Sequence, residues 1–437
     1  IGSTSLLEKM GAEVVLYDSN EKLTAEEIRE KLPEGSKARC ITGELPEEVE
    51  KEIQRVVLSP GVPVDAPLVE KLKADGAVIM GEIELGYQME KGRVAAITGT
   101  NGKTTTTTLV GEIMKAHLGE DRVFVVGNIG NPYTSECLKT TPDTVTVGEI
   151  SSFQLETIDT FHPHVAVMCN ITEDHLNRHG TMEEYIRIKE RIFENMGKDD
   201  WAVLNYDDEI VRGMAQRVHC NVAYFSRKQM VENGACVENG EVIFVLDGKK
   251  KRVIPTEEIY IPGNHNLENA LAATALTMLA GVPANIVRHT LKTFKGVEHR
   301  IEAVRTVDGV TYINDSKGTN VDASVQAVRA MKAGTVLLAG GYDKHCDFLP
   351  FAKEIKDSKI HTVVVLGDTA DQIEKALREV GFESILRAGS FEEAVMLARS
   401  CAKPGENVLL SPACASFDMF SDYEQRGRVF KEIVGRL

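Results

Sequence analysis

The stretch AAITGTNGKTTTTTLVGEIM, residues 95–114, contains the residues with the most recognisable chemistry in the chain. A short apolar run precedes a loop bracketed by Gly99 and Gly102, and Lys103 and five threonines follow, starting with Thr104. Amides of a glycine-rich turn at a helix N-terminus point towards an anion, and the helix dipole adds to the attraction. The lysine of such a loop reaches the terminal phosphates and the next hydroxyl ligates Mg²⁺. The pattern predicts a polyphosphate site, although Ile97 stands where the usual spacing places a glycine.

Two apolar segments further along the chain end in acidic loops. TVTVGEISSFQLE reads as a strand followed by Glu149, and HVAVMCNITEDH as a strand followed by Asp174 and His175. Oxygen donors at the ligand-binding edge of a sheet are suited to Mg²⁺. Taken alone, Glu149 is equally well a solvated loop acid and His175 a structural histidine. Beside a phosphate loop, we expect Glu149 to ligate magnesium and His175 to be a second metal ligand.

Lys189 lies within an apolar stripe of the segment EEYIRIKERIFENM. Tyr185, Ile188, Ile192 and Phe193 recur at helical spacing, and Lys189 is four residues from both Tyr185 and Phe193. Burial of an ammonium group is costly and lowers its pKa. One interpretation is a lysine whose stem is buried and whose head reaches water. The other is a neutral amine that adds CO₂ to form a carbamate, a carboxylate on a long stem that would bind a metal.

Length and composition limit the class of protein that positions these residues. With 437 residues, 43% hydrophobic and 27% charged, the chain has an ordinary globular composition and is long enough for two to four domains. A formal net charge of −16 argues against a nucleic-acid partner or a basic membrane surface. No apolar run approaches the ~20 residues of a membrane helix, so no membrane insertion is expected. The eight cysteines include no Cys-x-x-Cys pair, which favours the reducing cytoplasm.

Strand-like and helix-like segments alternate along the whole chain. Continuous β-branched runs such as HTVVVLGDT, separated by helical segments, predict mainly parallel sheets covered by helices on both faces, an α/β fold. We expect three domains, comprising residues 1–90, 91–296 and 297–437. Residues 1–20 read as the end of a glycine turn, a helix and a strand ending in Asp18, so we expect a further strand to precede Ile1.

The motifs taken together resemble those of the Mur ligases, the ATP-dependent amide-forming enzymes of peptidoglycan precursor synthesis. TGTNGKTTT resembles the variant phosphate loop of that superfamily, which folylpolyglutamate synthase shares. The other matching motifs occur in order over almost the whole chain: GNIG, EISSFQLE, NITEDHLNRHG, GNHNLENALAA, HRIE, NDSKGTN and SPACASFDMF. SSFQLE and SPACASFDMF resemble the family members that add D-glutamate. The resemblance implies Rossmann-like N- and C-terminal domains and a central P-loop ATPase domain, acting as a monomer.

The resemblance also implies a role for each matching residue. The substrates would be ATP, UDP-N-acetylmuramoyl-L-alanine and D-glutamate, with two Mg²⁺ sites and a carbamylated Lys189. Residues that would bind ATP and its metals are Gly99, Thr100, Asn101, Gly102, Lys103, Thr104, Thr105, Glu149, His175, Lys189, Asn269, Arg300 and Asp315. Residues that would contact the UDP-sugar are Asp18, Ser59 and Asn128. Residues that would hold D-glutamate are Thr319, Lys344, Ser416, Phe417 and Tyr423.

Two other functions stay open at this stage. A sister ligase would add L-alanine, a diamino acid, a dipeptide or further glutamates to a different acceptor, although the chain has no DNPR-like run typical of the diamino-acid case. A nucleotide-binding switch would use the phosphate loop without amide chemistry. The expected grouping of Glu149, His175 and Lys189 near the phosphates argues against the switch.

Overall fold

The structure, a computed structural model, describes residues 1–343 and 346–437. It confirms the α/β class, because four sheets, mainly parallel, alternate along the chain with helices. The chain divides into two compact units, one formed by Ile1–Tyr260 and Asn266–Phe294 and the other by Ile261–His265 and Lys295–Leu437. Within the described ranges, no helix is long and apolar enough to cross a membrane.

The N-terminal part of the first unit contains two short parallel strand pairs. The strands are β1 (Val15–Asp18) with β2 (Arg39–Thr42), and β3 (Arg55–Leu58) with β4 (Val78–Gly81). The described residues place these pairs in two separate sheets, whereas a Rossmann-like domain implies a single continuous one. The accompanying helices are α1 (Gly2–Lys9), α2 (Ala25–Arg29), α3 (Glu47–Glu50), α4 (Pro67–Ala74) and α5 (Glu82–Tyr87).

A nine-stranded sheet forms the centre of the first unit. Its strands run in the order β13-β12-β11-β10-β9-β8-β5-β7-β6, parallel from β6 to β11 and antiparallel at β12 and β13. The strands are β5 (Arg93–Thr98), β6 (Val123–Gly127), β7 (Val145–Glu149), β8 (Val165–Met168), β9 (Trp201–Asn205), β10 (Asn221–Ser226), β11 (Gly234–Glu238), β12 (Glu241–Leu246) and β13 (Lys249–Pro255).

Helices connect and cover these strands, and short 3₁₀ turns join them. The helices are α6 (Lys103–Leu118), α7 (Tyr133–Glu136), α8 (Ser152–Leu155), α9 (Leu176–His179), α10 (Met182–Glu190), α11 (Glu209–Gly213), α12 (Asn264–Leu279) and α13 (Ala284–Thr293). The 3₁₀ turns are Glu120–Arg122, Cys137–Lys139, Arg191–Phe193, Met214–Gln216 and Thr256–Glu258.

The order of the central strands explains how distant motifs meet. β5 lies between β8 and β7, and all three are parallel, so their carboxyl ends reach the same edge of the sheet. Ile97 of β5 is in register with Glu149 of β7 and with Val167 of β8. The phosphate loop, Glu149 and the loop containing His175 therefore begin side by side.

The second unit contains a six-stranded sheet in the order β14-β15-β19-β16-β17-β18, parallel except for the β14–β15 pair. Neighbouring residues of β16, Val336 and Leu337, belong to separate apolar clusters, so both sheet faces are buried. The strands are β14 (Glu302–Val307), β15 (Val310–Asn314), β16 (Thr335–Ala339), β17 (Ile360–Val365), β18 (Ile385–Arg387) and β19 (Asn407–Leu410). The helices are α14 (Val321–Ala330), α15 (Leu349–Lys356), α16 (Ala370–Glu379), α17 (Phe391–Cys401) and α18 (Tyr423–Gly435).

Candidate active site

The predicted phosphate loop connects β5 to the sixteen-residue helix α6. Gly99 and Gly102 both adopt positive φ angles, 143° and 83°. A Cβ atom on Gly99 would lie 2.8 Å from Cys169 Cβ, and one on Gly102 would lie 2.4 Å from Asn269 Oδ1. Glycine is required at both positions because the conformation and the space each exclude a side chain.

The N-terminus of α6 is suited to an anion. No side chain caps this helix in the part of the chain that the structure describes, so its first amides have no intrahelical or capping acceptor. Lys103 is folded over the loop, and its Nζ donates to the carbonyl oxygens of Gly99 (3.0 Å) and Thr100 (2.7 Å). Thr104 lies partly exposed in the first turn and Thr105 is buried beside it.

Asn170, at the end of the neighbouring strand β8, braces the phosphate loop. Its Oδ1 accepts from the Asn101 amide (2.8 Å), its Nδ2 donates to the Asn101 carbonyl (3.0 Å), and its own carbonyl accepts from Thr100 N (2.9 Å). The sequence analysis does not identify Asn170 as a site residue, although it lies within the NITEDH motif. Its place directly after an apolar strand was the available signal.

Glu149 is buried at the end of β7, with 1% of the residue exposed. Its Oε1 accepts from Asn128 Nδ2 at 2.8 Å, whereas its Oε2 is buried and has no hydrogen-bond partner within the described residues. A buried carboxylate oxygen without a donor is costly unless a ligand satisfies it. Asn128, selected as a contact for the UDP-sugar, is thus bonded to the expected metal ligand.

Lys189 has only 1% of its surface exposed and lies against the phosphate loop, within the predicted apolar stripe. Its Nζ donates to Gly99 O at 2.8 Å and lies 5.0 Å from the centroid of the Tyr185 ring. Burial, reinforced by the positive charge of Lys103, holds the pKa of Lys189 well below its ordinary value. The alternative of a lysine reaching water is wrong for this structure, because the head group is buried with the stem.

His175 precedes α9 in a left-handed conformation, with φ 54°. Its imidazole is half exposed, with Nε2 3.5 Å from Asp174 Oδ2 and the ring centroid 4.9 Å from that of Phe153. The sequence analysis does not identify Phe153 as a site residue, although it lies inside the SSFQLE motif.

Arg300 and Asp315, selected as a pair for the adenosine, approach each other in the second unit. Arg300 Nη1 lies 3.8 Å from Asp315 Oδ1, and Asp315 is fully buried. Ser411 Oγ donates to Asp315 Oδ2 (2.8 Å) and the Ile301 amide donates to Oδ1 (3.2 Å). Burial nevertheless raises the pKa of Asp315 to about 6, because desolvation outweighs these stabilising contacts.

The residues selected for the amino acid follow β15 and β19 of the same sheet. Ser416 is buried, whereas the exposed ring of Phe417 contacts that of Tyr342 edge-on, with centroids 6.0 Å apart. Tyr423 begins α18, and its hydroxyl accepts from Lys317 Nζ at 3.3 Å. Lys317 was not selected, although the amide of Thr319 donates to its carbonyl (2.8 Å). Lys344 lies outside the described residues.

Arg426, on α18, joins the two loops that carry those residues. It is 1% exposed and donates to Ser316 Oγ (2.9 Å) and O (2.8 Å), to Cys414 O (3.1 Å) and to Ala415 O (3.1 Å). Burial lowers the pKa of its guanidinium to about 10. No feature of the local sequence DYEQRGR marks it.

The remaining selected residues lie at three different places in the first unit. Asn269, on α12, accepts from Thr106 Oγ1 at 3.3 Å and covers Gly102 of the phosphate loop. Asp18 ends β1 and accepts from the Asn20 amide. Ser59 follows β3 and lines a cleft together with Phe153.

The donor set around the loop fits Mg²⁺. Glu149 offers an oxygen without a donor, and Thr104 offers a hydroxyl in the first turn of α6. Lys103, Asp174 and Glu149 all lie near enough to influence the pKa of Lys189. In the described parts of the chain, no three His, Cys, Asp or Glu side chains group into a metal-binding cluster.

Comparison with known proteins decides the family. Residues 97–277 match the family model of the Mur ligase middle domain, and residues 299–414 match that of the Mur ligase glutamate ligase domain. The chain belongs to the Mur ligase family. Mur ligases are ATP-dependent ligases that use Mg²⁺, so the chain is an ATP-dependent ligase.

Individual Mur ligases match over the whole chain. The UDP-N-acetylmuramoylalanine–D-glutamate ligase of Lachnospira eligens is 49% identical, covering 100% of this chain and 96% of the relative. The enzyme of the same name from Alkaliphilus oremlandii is 48% identical, covering 99% and 95%. Among solved structures, the UDP-N-acetylmuramate-alanine ligase of Thermotoga maritima has a TM-score of 0.64 at 20% identity, covering 100% of this chain and 96% of its own, and supports the fold.

Proposed function

We propose that this Mur ligase adds D-glutamate to UDP-N-acetylmuramoyl-L-alanine, with release of ADP and phosphate, in peptidoglycan precursor synthesis. The observation that carries the proposal is the 45–49% identity, along nearly the full chain, to relatives that are all named D-glutamate ligases. Within the described residues, the buried Oε2 of Glu149 has no hydrogen-bond donor and helix α6 has no side-chain cap, and both features support the ATP chemistry independently.

The reaction overcomes the poor reactivity of a carboxylate towards an amine. A carboxylate oxygen of the UDP-substrate attacks the γ-phosphorus of ATP, which gives an acyl phosphate and ADP. The neutral amine of D-glutamate then attacks the acyl carbon, the tetrahedral intermediate expels phosphate, and the amine loses its proton. Bound in one site, the two substrates react as if unimolecular.

The matched residues have separate roles in binding ATP and its metals. The amides of Gly99–Thr105 cradle the phosphates, and Lys103 leaves its loop carbonyls to offset the charge of the transferring group. Thr104 and Glu149 would hold one Mg²⁺, and His175 with the carbamate of Lys189 would hold a second. Bound Mg²⁺ neutralises phosphate charge and polarises the reacting oxygens. Asn269, Arg300 and Asp315 bind the adenosine.

Lys189 acts in this proposal as its carbamate. Its lowered pKa supports the idea, because only a neutral amine adds CO₂. The product would be a buried carboxylate placed against the phosphate loop, where the amine now donates to Gly99.

The other substrate sites follow the remaining matched residues. Asp18, Ser59 and Asn128 contact the UDP-sugar, and Thr319, Lys344, Ser416, Phe417 and Tyr423 hold D-glutamate. The domains comprise residues 1–90, 91–296 and 297–437, a division supported by the separate sheets that lie within each range. The enzyme acts as a cytoplasmic monomer.

The test is phosphate release from ATP and Mg²⁺ in the presence of UDP-N-acetylmuramoyl-L-alanine. We expect stimulation by D-glutamate and not by L-glutamate, L-alanine or a diamino acid. Equal stimulation by L-glutamate or by a diamino acid would refute the specificity while keeping the ligase chemistry. Tight ATP binding with no stimulation by any amine would refute the function itself, and Lys103→Ala supplies the background rate.

A further inference from the structure

A partly buried ion pair outside the predicted ligand set lies close to two of the proposed sites. Arg178, on α9 three residues after His175, donates from Nε to Glu156 Oε1 (3.2 Å) and from Nη2 to Glu156 Oε2 (2.6 Å). The Glu156 side chain is 7% exposed and follows α8, the helix of the SSFQLE motif. Bidentate pairs of this kind fix orientation as well as charge.

The same guanidinium holds the loop that follows β3. Arg178 Nη2 also donates to the carbonyl oxygen of Val62 at 3.0 Å. This loop begins at Ser59, the residue proposed to contact the UDP-sugar. Val62, Ser59, Phe153 and Glu156 line one cleft, and Arg178 contacts two of these residues, Val62 and Glu156.

Phe153 extends the connection to the proposed metal ligand. The guanidinium carbon of Arg178 lies 5.3 Å from the centroid of the Phe153 ring, within range of a cation–π contact. The His175 and His179 rings lie 4.9 Å and 5.5 Å from the same centroid. Displacement of the Val62 loop would therefore act on Arg178, on the ring of Phe153 and on the imidazole of His175.

We propose that Arg178 is a positioning residue that couples the UDP-substrate loop to the metal-binding histidine, so that each site binds its ligand more tightly when the other is filled. This inference rests on the proposed function, since it takes the two ligands from it. Arg178 is not among the residues proposed to bind either ligand. Coupling between two binding sites is reciprocal, so it can be measured from either ligand.

Lysine cannot replace the three contacts of Arg178. An ammonium group keeps the charge but is a single point, whereas the planar guanidinium reaches both oxygens of Glu156 and the Val62 carbonyl together. Arg178→Lys should therefore keep the fold and weaken the contacts with Glu156 and with the Val62 loop. Arg187→Lys is the matched control, because Arg187 forms a bidentate pair with Glu184 at 2.8 and 2.6 Å on an exposed face of α10.

The experiment measures binding by calorimetry, without turnover. The affinity of the full chain for UDP-N-acetylmuramoyl-L-alanine is determined with and without Mn²⁺ and a non-hydrolysable ATP analogue. In the parent protein we expect the metal nucleotide to tighten this binding by roughly fivefold or more. The coupling ratio is the affinity for the UDP-substrate with the metal nucleotide divided by the affinity without it. In Arg178→Lys this coupling ratio should be less than about two, while Arg187→Lys should keep the ratio of the parent protein.

A second variant protects the test against a simple folding defect. Phe153→Leu leaves the ion pair in place but removes the ring on which His175 packs, and should also reduce the ratio. A parental ratio in Arg178→Lys, or no coupling in the parent protein, overturns the inference while D-glutamate-dependent turnover leaves the proposed function standing. A parent protein that does not bind the UDP-substrate at all refutes the proposed function and this inference with it.

Discussion

The balance between desolvation and hydrogen bonding, more than residue type, sets the pKa of buried side chains in this protein. Glu84 and Asp315 are both buried carboxylates, yet their pKa values move in opposite directions. The pKa of Glu84 is lowered because the Thr160 hydroxyl and the Asp159 amide are among several donors that outweigh desolvation. The pKa of Asp315 rises to about 6 because desolvation exceeds the effect of its donors and of Arg300. Desolvation lowers the pKa of Lys189, because the charged form of lysine is the protonated one.

The first prediction concerns Lys189. Lys189→Ala should lower D-glutamate-dependent phosphate release by about 10²-fold or more, the size typical of losing a group that stabilises transition-state charge. High bicarbonate should not restore activity, because no amine remains. Short carboxylates such as acetate should restore part of it by occupying the vacated space.

Lys103→Ala is the control for this rescue. Lys103 supplies a positive charge, so acetate should not help that variant. Unchanged activity in Lys189→Ala, or equal rescue of both variants by acetate, would defeat the carbamate proposal.

At the scale of elements, paired parallel strands bring the loops that carry the site residues close together. Side chains from other elements then bind these loops. The loops after β15 and β19 come side by side because those strands are paired in parallel. Arg426, on α18, then binds three carbonyls and a hydroxyl of the two loops. The contacts cross 110 residues to Ser316, and none of the acceptors is a carboxylate.

The second prediction therefore concerns Arg426. Arg426→Lys should leave at least one buried carbonyl without a donor, which destabilises the protein by about 1–3 kcal/mol. We also expect the KM for D-glutamate to rise by roughly tenfold, since 1.4 kcal/mol of lost loop order corresponds to that factor.

Arg428→Lys is the matched control for Arg426→Lys. Arg428 lies two residues further along the same helix, but its side chain is 55% exposed. Its Nη2 forms a long ion pair with Asp422 Oδ1, at 3.9 Å. Steady-state kinetics and urea unfolding of both variants decide the matter. A stability loss in Arg426→Lys with an unchanged KM would leave the residue with a purely structural role.

At the scale of the whole molecule, each compact unit has its own sheet and core. In the second unit, helices cover both faces of the six-stranded sheet, and apolar clusters on the two faces include Leu337 and Leu409 on one side and Val336 and Val408 on the other. A buried core on each face is what allows a domain to fold alone.

The third prediction follows from this core. A fragment of residues 295–437 should fold by itself and unfold cooperatively in urea. Circular dichroism should give a free energy of unfolding of roughly 5–10 kcal/mol. A fragment of residues 295–405 should not fold, because it lacks β19, which lies between β15 and β16 at the centre of the sheet. Non-cooperative unfolding of the longer fragment would contradict the prediction.

The sequence alone predicts the local structure of the site well, since short-range physics determines it. Gly99, Gly102 and Lys103 mark the phosphate loop because backbone conformation and helix initiation depend on neighbouring residues. Glu149 and His175 were selected because apolar runs predict strands and parallel strands end at one edge. The spacing of its apolar neighbours placed Lys189 within an apolar stripe but left open whether its head group reaches water.

Only the tertiary structure decided which polar groups pair. Asn128 binds Glu149, Asn170 binds the loop at Asn101, and Arg178 reaches Val62 across 116 residues. A hydrogen bond needs its donor and acceptor within a few tenths of an ångström of the right distance. That precision comes from the packing of whole sheets and helices, so no pattern of neighbouring residues in the chain encodes it.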